Sequence, residues 1–335
     1  MPRHGYFSPW GNPTLEDGPE GEYLTDRLTD EAVRLVRDRD RKRPFLLHLS
    51  HYAVHVPIQA PEPLVEKYRR KVAAMGLDKV QAIVEGEPFP CLHKSDQRVE
   101  RRMFQSDPTY AAMVENLDAN IGRLLAALDD EGLANDTLVV FTSDNGGLST
   151  AEGSPTCNFP LAEGKGWNYE GGTRVCQIAR WPTVVRPGSV CAVPVTSTDF
   201  YPTFLDACGA PLMPEQHCDG VSLMPLLRGG AALERDAIFW HYPHYSNQGG
   251  TPAASMVSGS WKLISFLEDG RLALYDLDRD PSERCDLAGA RPEVVARLGA
   301  QLKAWQEEVE AKIPGPNPDY EKKLKRPQTE NNAHV

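Results

Sequence analysis

An α/β fold is what this sequence predicts: a mostly parallel sheet flanked by helices, with a small antiparallel subdomain behind it. Three observations predict it. The run Leu138-Val139-Val140-Phe141-Thr142-Ser143 is β-branched and aromatic, and it stops abruptly at Asp144-Asn145-Gly146-Gly147. A buried strand that carries polar side chains to the carboxyl edge of a sheet has this pattern, and open α/β folds keep their active sites at that edge. A long apolar stripe at helical spacing comes just before it, which gives the helix–strand order of a parallel sheet. Beyond about residue 233, short strands alternate with hairpin-like turns and end on a last helix.

Residues 1–21 are rich in Gly, Pro and aromatics and read as loop. A domain of this kind usually opens on a buried strand, so the sequence is expected to begin partway into its fold. Leu24, Leu28, Ala32, Leu35 and Val36 keep helical spacing, with Thr25 or Thr29 near the start, which predicts a helix over 25–40. Phe45-Leu46-Leu47-His48-Leu49-Ser50 reads as a short buried strand, ending in the polar loop His51 to Pro57. Residues 66–105 mix basic and acidic residues with prolines and read as a helix and an irregular insertion, the charges forming a solvated face. Asp107-Pro108 is an N-cap followed by proline at the first helical position. Tyr110, Met113, Val114, Leu117, Ile121, Leu124, Leu125 and Leu128 then form one stripe, ended near Gly132. The strand 137–143 follows, then a glycine-rich loop over 144–174, a length that signals function. A strand over 175–181, a helix over 199–208 and a helical turn over 223–227 complete the core. Short strands at 237–240, 254–257, 261–266 and 272–275 and a helix near 292–312 make the subdomain. The organisation read from this is a core over 1–232, a subdomain over 233–313 and a poorly ordered tail over 314–335.

The 335 residues are enough to bury a large core, and 41% hydrophobic with 25% charged residues is ordinary for a soluble globular chain. No apolar run approaches membrane-spanning length, and no charged-then-apolar leader opens the sequence. A net charge of −11 argues against nucleic acid or another extended polyanion as partner, since these need a broad basic face. It leaves room for a small anionic substrate, because local cations can outweigh the global sign. The seven cysteines are dispersed and form no CxxC, so neither a zinc site nor a redox motif is suggested. They read mostly as small core residues.

Asp144 and Asn145 place a carboxylate and a carboxamide oxygen side by side, which suits a hard divalent cation, calcium or alternatively magnesium. The same four residues, Asp-Asn-Gly-Gly, also suit a tight turn or a helix cap. Two oxygens do not hold calcium, which takes ~6–8, so a metal reading needs partners from elsewhere. Lys165 lies between Gly164 and Gly166, where the backbone approaches a ligand closely and the ammonium acts as a point charge; the bland alternative is a surface loop lysine. His55 precedes Val56-Pro57 at a strand end, where an imidazole donates to an anion or protonates a leaving oxygen, or simply packs. His48 and His51 fit a packing role better. His241 and His244, in Trp240-His241-Tyr242-Pro243-His244-Tyr245, suit a pocket rim or a polar loop equally.

Together these segments resemble the sulfatase family of the alkaline-phosphatase-like superfamily. The resemblance covers most of the chain. It runs through Pro44-Phe45-Leu46-Leu47 to His55-Val56-Pro57, the helix Tyr110 to Asp118, Thr142-Ser143-Asp144-Asn145-Gly146, and Gly164-Lys165-Gly166 with Tyr169-Glu170-Gly171-Gly172. It continues through Thr198-Asp199 before Pro202-Thr203, and Leu274-Tyr275-Asp276-Leu277 with Asp280-Pro281. Any one of these is weak, and their shared order is what makes the resemblance specific. It implies that Asp144 and Asn145 are the second pair of calcium ligands, that Lys165 binds the sulfate group, and that His55 contacts sulfate or the leaving oxygen. It also implies a sulfated small molecule or carbohydrate as substrate, and relatives that are commonly periplasmic, secreted or lysosomal.

The sequence departs from the family's pattern at its nucleophile. Sulfatases attack with a formylglycine made from Cys or Ser in a Cys/Ser-x-Pro-x-Arg motif, and that motif is absent here; Cys91 and Cys157 do not fit it. The family's first pair of metal-binding aspartates and its early Lys and His are absent too. The expectation is therefore an alkaline-phosphatase-like fold lacking its first strands, corresponding to the C-terminal portion of a sulfatase, with little turnover as written. A non-catalytic protein that binds anions or sulfated glycans, and a phosphoesterase-type relative, are the alternatives. The central expectation is that His55, Lys165, Asp144 and Asn145 converge on one divalent cation and one tetrahedral oxyanion.

Overall fold

A computed structural model describes residues 5–318, so residues 319–335 of the expected tail lie outside it. The chain divides into two compact units. The first holds the chain through Ala82 with Phe104–Val139 and Arg180–Thr183; the second holds Ile83–Met103, Val140–Ala179 and the chain from Val184 on.

In the first unit, helices α1 (Leu24–Asp38) and α2 (Glu62–Ala74) both pack on α3 (Pro108–Asp130). α1 buries Thr25, Thr29, Ala32 and Val36, the one-face spacing that a 3.6-residue period gives. α3 begins as its sequence predicts: Asp107 Oδ1 accepts from the Thr109 and Tyr110 amides, both at 2.9 Å, and Pro108 occupies the first turn. Asp26 links the two helices by accepting from Asn116 Nδ2 at 2.9 Å and Asn120 Nδ2 at 2.6 Å. The opening loop is more than a connector, since Tyr6 and Trp10 join Tyr23, Val65 and Met113 in the core.

The expected buried strand over 45–50 does not form. The segment has no ladder partner among the described residues, and Leu46 is 75% exposed. An apolar run becomes a central strand only when neighbours pair with it and cover both faces, and here none does.

In the second unit, residues read as an irregular insertion form an antiparallel hairpin, β1 (Ile83–Pro88) with β2 (Arg98–Arg102), bulged between Glu85 and Pro88. β3 (Val139–Thr142) is half-buried rather than fully buried. After α4 (Glu170–Thr173), β3 is paired by β4 (Gln177–Arg180). α5 (Phe200–Ala207) follows a capping box of Thr196 and Asp199, and α6 (Met224–Leu227) is a single turn. Asp199 is fully buried, accepts from the Val221 amide at 3.0 Å and pairs bidentately with Arg235.

The predicted subdomain is an antiparallel meander, β5 (Ile238–Tyr242), β6 (Ala253–Ser258), β7 (Trp261–Phe266) and β8 (Leu272–Asp276), followed by α7 (Pro292–Glu308). Its alternation decides what covers each face. Ala254, Met256, Leu263 and Leu274 meet Leu298 and Leu302 of α7. Ala253, Ile264, Ala273 and Tyr275 meet Tyr169, which comes from the glycine-rich loop. That second face is where the fold fixes the loop carrying Lys165.

Only Cys91 is buried, while Cys176, Cys191, Cys208, Cys218 and Cys285 are exposed, against the expectation of core cysteines. Their segments are loops and half-exposed edges, where a small side chain meets solvent. Among the described residues no helix is long and apolar enough to cross a membrane.

Candidate functional site

β3 ends at Thr142, whose hydroxyl donates to Cys176 O at 3.1 Å. The chain then bends through Asp144 and Asn145, with no helix until α4. The helix-capping alternative for Asp-Asn-Gly-Gly therefore falls, and a bend at a strand end remains. Ser143 Oγ donates to Asn145 O at 3.0 Å, and Asn145 Nδ2 donates to Gly146 O at 3.0 Å. With its nitrogen committed to that carbonyl, Asn145 keeps Oδ1 as its acceptor, next in sequence to the exposed carboxylate of Asp144. Both are hard oxygen donors of the type calcium or magnesium takes, and they fit part of such a shell. Among the described residues no group of three or more His, Cys, Asp or Glu side chains is placed to hold a metal ion.

Lys165 comes to this strand end through its backbone. Its amide donates to Gly147 O at 3.1 Å, the Gly146 amide donates to Gly172 O at 3.0 Å, and the Gly171 amide donates to Ala162 O at 2.7 Å. Glycine is required because main chain packs on main chain. A Cβ on Gly146 would lie 2.7 Å from Gly171 C and 3.1 Å from Gly172 Cα. Gly166 takes φ +82° with Ser246 and Gln248 against it, so a side chain there would meet both strain and crowding. Asn158 fastens the same cluster, accepting from the Gly147 amide at 3.1 Å and donating to Gly147 O at 2.8 Å and Glu163 O at 2.9 Å. Trp167 Nε1 donates to Gln248 O at 3.0 Å and Thr150 Oγ1 at 3.1 Å, fixing the far side of the loop. Asp144, Asn145 and the half-buried Lys165 are thus carried by one hydrogen-bonded assembly in the second unit.

His55 belongs to the first unit. Its amide donates to Tyr52 O at 2.9 Å, its carbonyl accepts from Tyr6 Oη at 2.9 Å, and its Nδ1 lies 3.0 Å from Val56 O. A carbonyl only accepts, so Nδ1 carries the proton in that bond. Tyr6 and Tyr23 stack beneath this loop with centroids 5.5 Å apart, and burial raises both phenols well above their ordinary pKa. His51 buries both ring nitrogens with no hydrogen-bond partner among the described residues, and burial lowers its pKa. His48 Nε2 meets Ser50 Oγ at 3.1 Å. In the second unit, His241 engages Lys312 O at 3.0 Å through Nε2 and Gln306 Nε2 at 3.2 Å through Nδ1, while His244 is exposed, edge-on to Tyr242.

Two ion clusters around the Lys165 loop are not evident from sequence. Arg101 of β2, read as part of a solvated face, pairs with Glu163 and Glu87. Lys262 of β7 is fully buried against Glu170 and Glu283. The available signal was register: Lys262 alternates with Leu263 in an apolar strand, which puts one of the two on each face.

The sequence profile described as Sulfatase matches residues 3–210, and one described as N-sulphoglucosamine sulphohydrolase, C-terminal, matches residues 163–310. A sulfatase of Formosa agariphila is 32% identical over 318 residues, 88% of this chain and 52% of that protein. Steryl-sulfatase of Mus musculus is 36% identical over 294 residues, 78% of this chain and 40% of that one. Among solved structures, Ps i-CgsB in complex with k-i-k-neocarrahexaose is similar with TM-score 0.68 and 27% identity, over 93% of this chain and 61% of that one. A protein in complex with D-glucosamine-2-N,6-O-disulfate shares the fold with TM-score 0.60 and 20% identity, over 88% of this chain and 71% of that one. The chain spans about half the length of the curated relatives it matches.

Proposed function

The chain belongs to the sulfatase family, and from that premise we propose that it carries the sulfate-recognition part of a site for sulfate esters, with sulfated carbohydrate as the substrate class. Lys165 binds a sulfate oxygen. Asp144 and Asn145 Oδ1 give two oxygens to a calcium ion, or to magnesium. His55 serves the leaving oxygen through Nε2, a role that rests on its motif with Val56-Pro57. His244 stands at the rim. The observation that carries this reading is the main-chain bond from Lys165 to Gly147, which ties the candidate anion-binding residue to the strand end bearing both metal-type donors.

The chemistry follows from charge. A sulfate monoester is an anion, and charge redistributes over its oxygens and the leaving oxygen during transfer. Fixed positive groups stabilise that distribution without reorganising. A bound divalent cation supplies Lewis-acid neutralisation of the sulfuryl oxygens. The carbohydrate proposal takes support from the sugar complexes of the structural neighbours.

Because the sequence holds no Cys/Ser-x-Pro-x-Arg motif, this polypeptide by itself is proposed to bind rather than turn over. Calorimetry with glucosamine 6-sulfate, with and without calcium, tests binding, and ion chromatography of released sulfate tests turnover. The expected result is calcium-enhanced binding that Lys165→Ala abolishes at unchanged melting temperature, with no sulfate released. Binding indifferent to Lys165→Ala overturns the site, and sulfate release that Lys165→Ala removes overturns the binding-only assignment.

A further inference from the structure

The loop that carries Lys165 has a carboxylate on each side of it, and each meets a cation supplied by a different element. On one side stands Glu163. Arg101 reaches it through Nε, 2.9 Å from Oε2, and through Nη2, 2.9 Å from Oε1. The same guanidinium holds Glu87 of β1 through Nη1 at 2.9 Å and Nη2 at 2.8 Å, and it lies over the Trp167 ring at 5.5 Å. On the other side stands Glu170. Lys262 Nζ donates to Glu170 Oε1 at 2.8 Å and to Thr173 Oγ1 at 3.3 Å, and it sits 3.1 Å from Glu283 Oε1. Glu283 Oε2 in turn accepts the Glu170 amide at 2.6 Å.

Stability alone does not account for these charges. Taking ions out of water is costly, and well-packed apolar residues in place of a buried ion cluster often stabilise a fold or leave it unchanged. What the ions do supply is geometry. A planar guanidinium with two carboxylates in its forks fixes distance and plane at once. An ammonium shared among carboxylates and a hydroxyl fixes a point. The points fixed here lie next to the glycine cluster: Glu163 precedes Gly164-Lys165, and Glu170 precedes Gly171-Gly172, whose carbonyl at 172 receives the Gly146 amide.

We propose that Arg101 and Lys262 are positioning residues, which set Lys165 and the Asp144–Asn145 strand end for an anionic ester by holding the loop at Glu163 and Glu170. The inference rests on Lys165 being an anion contact. Burial also pushes the Glu283 carboxyl up, to about 7, against the opposing pull of Lys262. Near neutral pH this relieves part of the like-charge repulsion between the two glutamates.

The test uses the full chain with inorganic sulfate and glucosamine 6-sulfate as probes. Lys262→Met alone leaves Glu170 buried without its cation and is prone to unfold. The informative variants therefore remove whole clusters: Arg101→Met with Glu87→Gln and Glu163→Leu, and Lys262→Met with Glu170→Gln and Glu283→Gln. Amide exchange over residues 160–174 and sulfate affinity are measured beside melting temperature. The expectation is roughly tenfold faster loop exchange and roughly tenfold weaker sulfate binding, at near-wild-type melting temperature and unchanged exchange in α1 and α3. Arg101→Lys is expected not to rescue, since an ammonium cannot fill two forks. Loop exchange at the wild-type rate in folded variants overturns the proposal, and so does faster exchange with undiminished sulfate binding. If Lys165→Ala leaves sulfate binding unchanged, the functional reading itself has failed. Loop exchange then decides alone whether the two cations hold the loop.

Discussion

Replacing Gly146 with alanine adds one methyl group at the point where the strand end and the Lys165 loop touch. The new carbon would stand 2.7 Å from Gly171 C and 3.1 Å from Gly172 Cα, with the Gly171 carbonyl oxygen nearer still. Carbon–carbon contacts are comfortable at ~3.5–4.0 Å, and the nearer oxygen sets the larger demand, so the facing backbone must retreat by about 1–1.5 Å. No rotamer change relieves this, because every atom met is main chain. Overpacking of this kind costs about 1–3 kcal/mol. The retreat also breaks the Gly146–Gly172 hydrogen bond, now 3.0 Å, for about 1 kcal/mol more. The expected total is about 2–4 kcal/mol, or a fall in melting temperature on the order of 5–10 °C for a domain of this size. Gly122→Ala is the control: it lies inside α3, and an added Cβ meets nothing within 4 Å. That change should stabilise by about 0.5–1 kcal/mol through helix propensity. Scanning calorimetry compares the two, with amide exchange over 162–172 as the local readout. A Gly146→Ala protein that melts within about 1 °C of wild type, with that loop still protected, would refute the main-chain packing on which the site description depends.

The Asp199–Arg235 pair makes a second test, since Asp199 is fully buried. Arg235→Met strands its carboxylate with only amide partners and should cost about 3–5 kcal/mol in urea unfolding, with partial recovery on adding Asp199→Asn. The third concerns pH. Glu283 is raised by burial to about 7, so the folded chain holds a proton that the unfolded chain releases at lower pH. Stability contributed by this group is therefore lost as pH rises from the ordinary carboxylate range through about 7. Glu283→Gln should flatten that segment of a stability–pH curve, and an unchanged slope would show that Glu283 titrates normally.

What the sequence disclosed and what it hid follow from the range of the interactions involved. α3 was legible in full because its determinants are local: Asp107 and Pro108 at the start, a one-face stripe, and Gly132 at φ +69° beyond the end. The meander β5–β8 was legible because period-two alternation and tight turns lie within a few residues of one another. Phe45–Ser50 misled because burial is a property of neighbours, and nothing inside six apolar residues reveals whether a strand lies alongside. The β1–β2 hairpin was hidden by its own charges. Arg101 and Glu87 look like solvated face until their cross-strand and loop partners are known. At the site, the chemistry-bearing residues stood out by type, as Asp144, Asn145 and Lys165 beside glycines, whereas Lys262 and Glu283 lie far from them in sequence.

That division has a physical cause. A residue that touches substrate needs a particular functional group, so its type survives as a pattern that can be read. A residue that holds such a group in place needs only to fill a position with the right charge and reach, and its partner can come from anywhere in the chain. Glycine is the exception here. Its role in the 144–172 assembly is to let backbone meet backbone, and this requirement writes itself into the sequence as plainly as a ligand does. The loop therefore announces its own geometry, while the ions that fix its flanks emerge only from coordinates. If Arg101 and Lys262 act as inferred, sulfate affinity in this chain is governed by side chains that never approach the anion. Substitutions confined to motif residues would change the contact and leave its supports untouched.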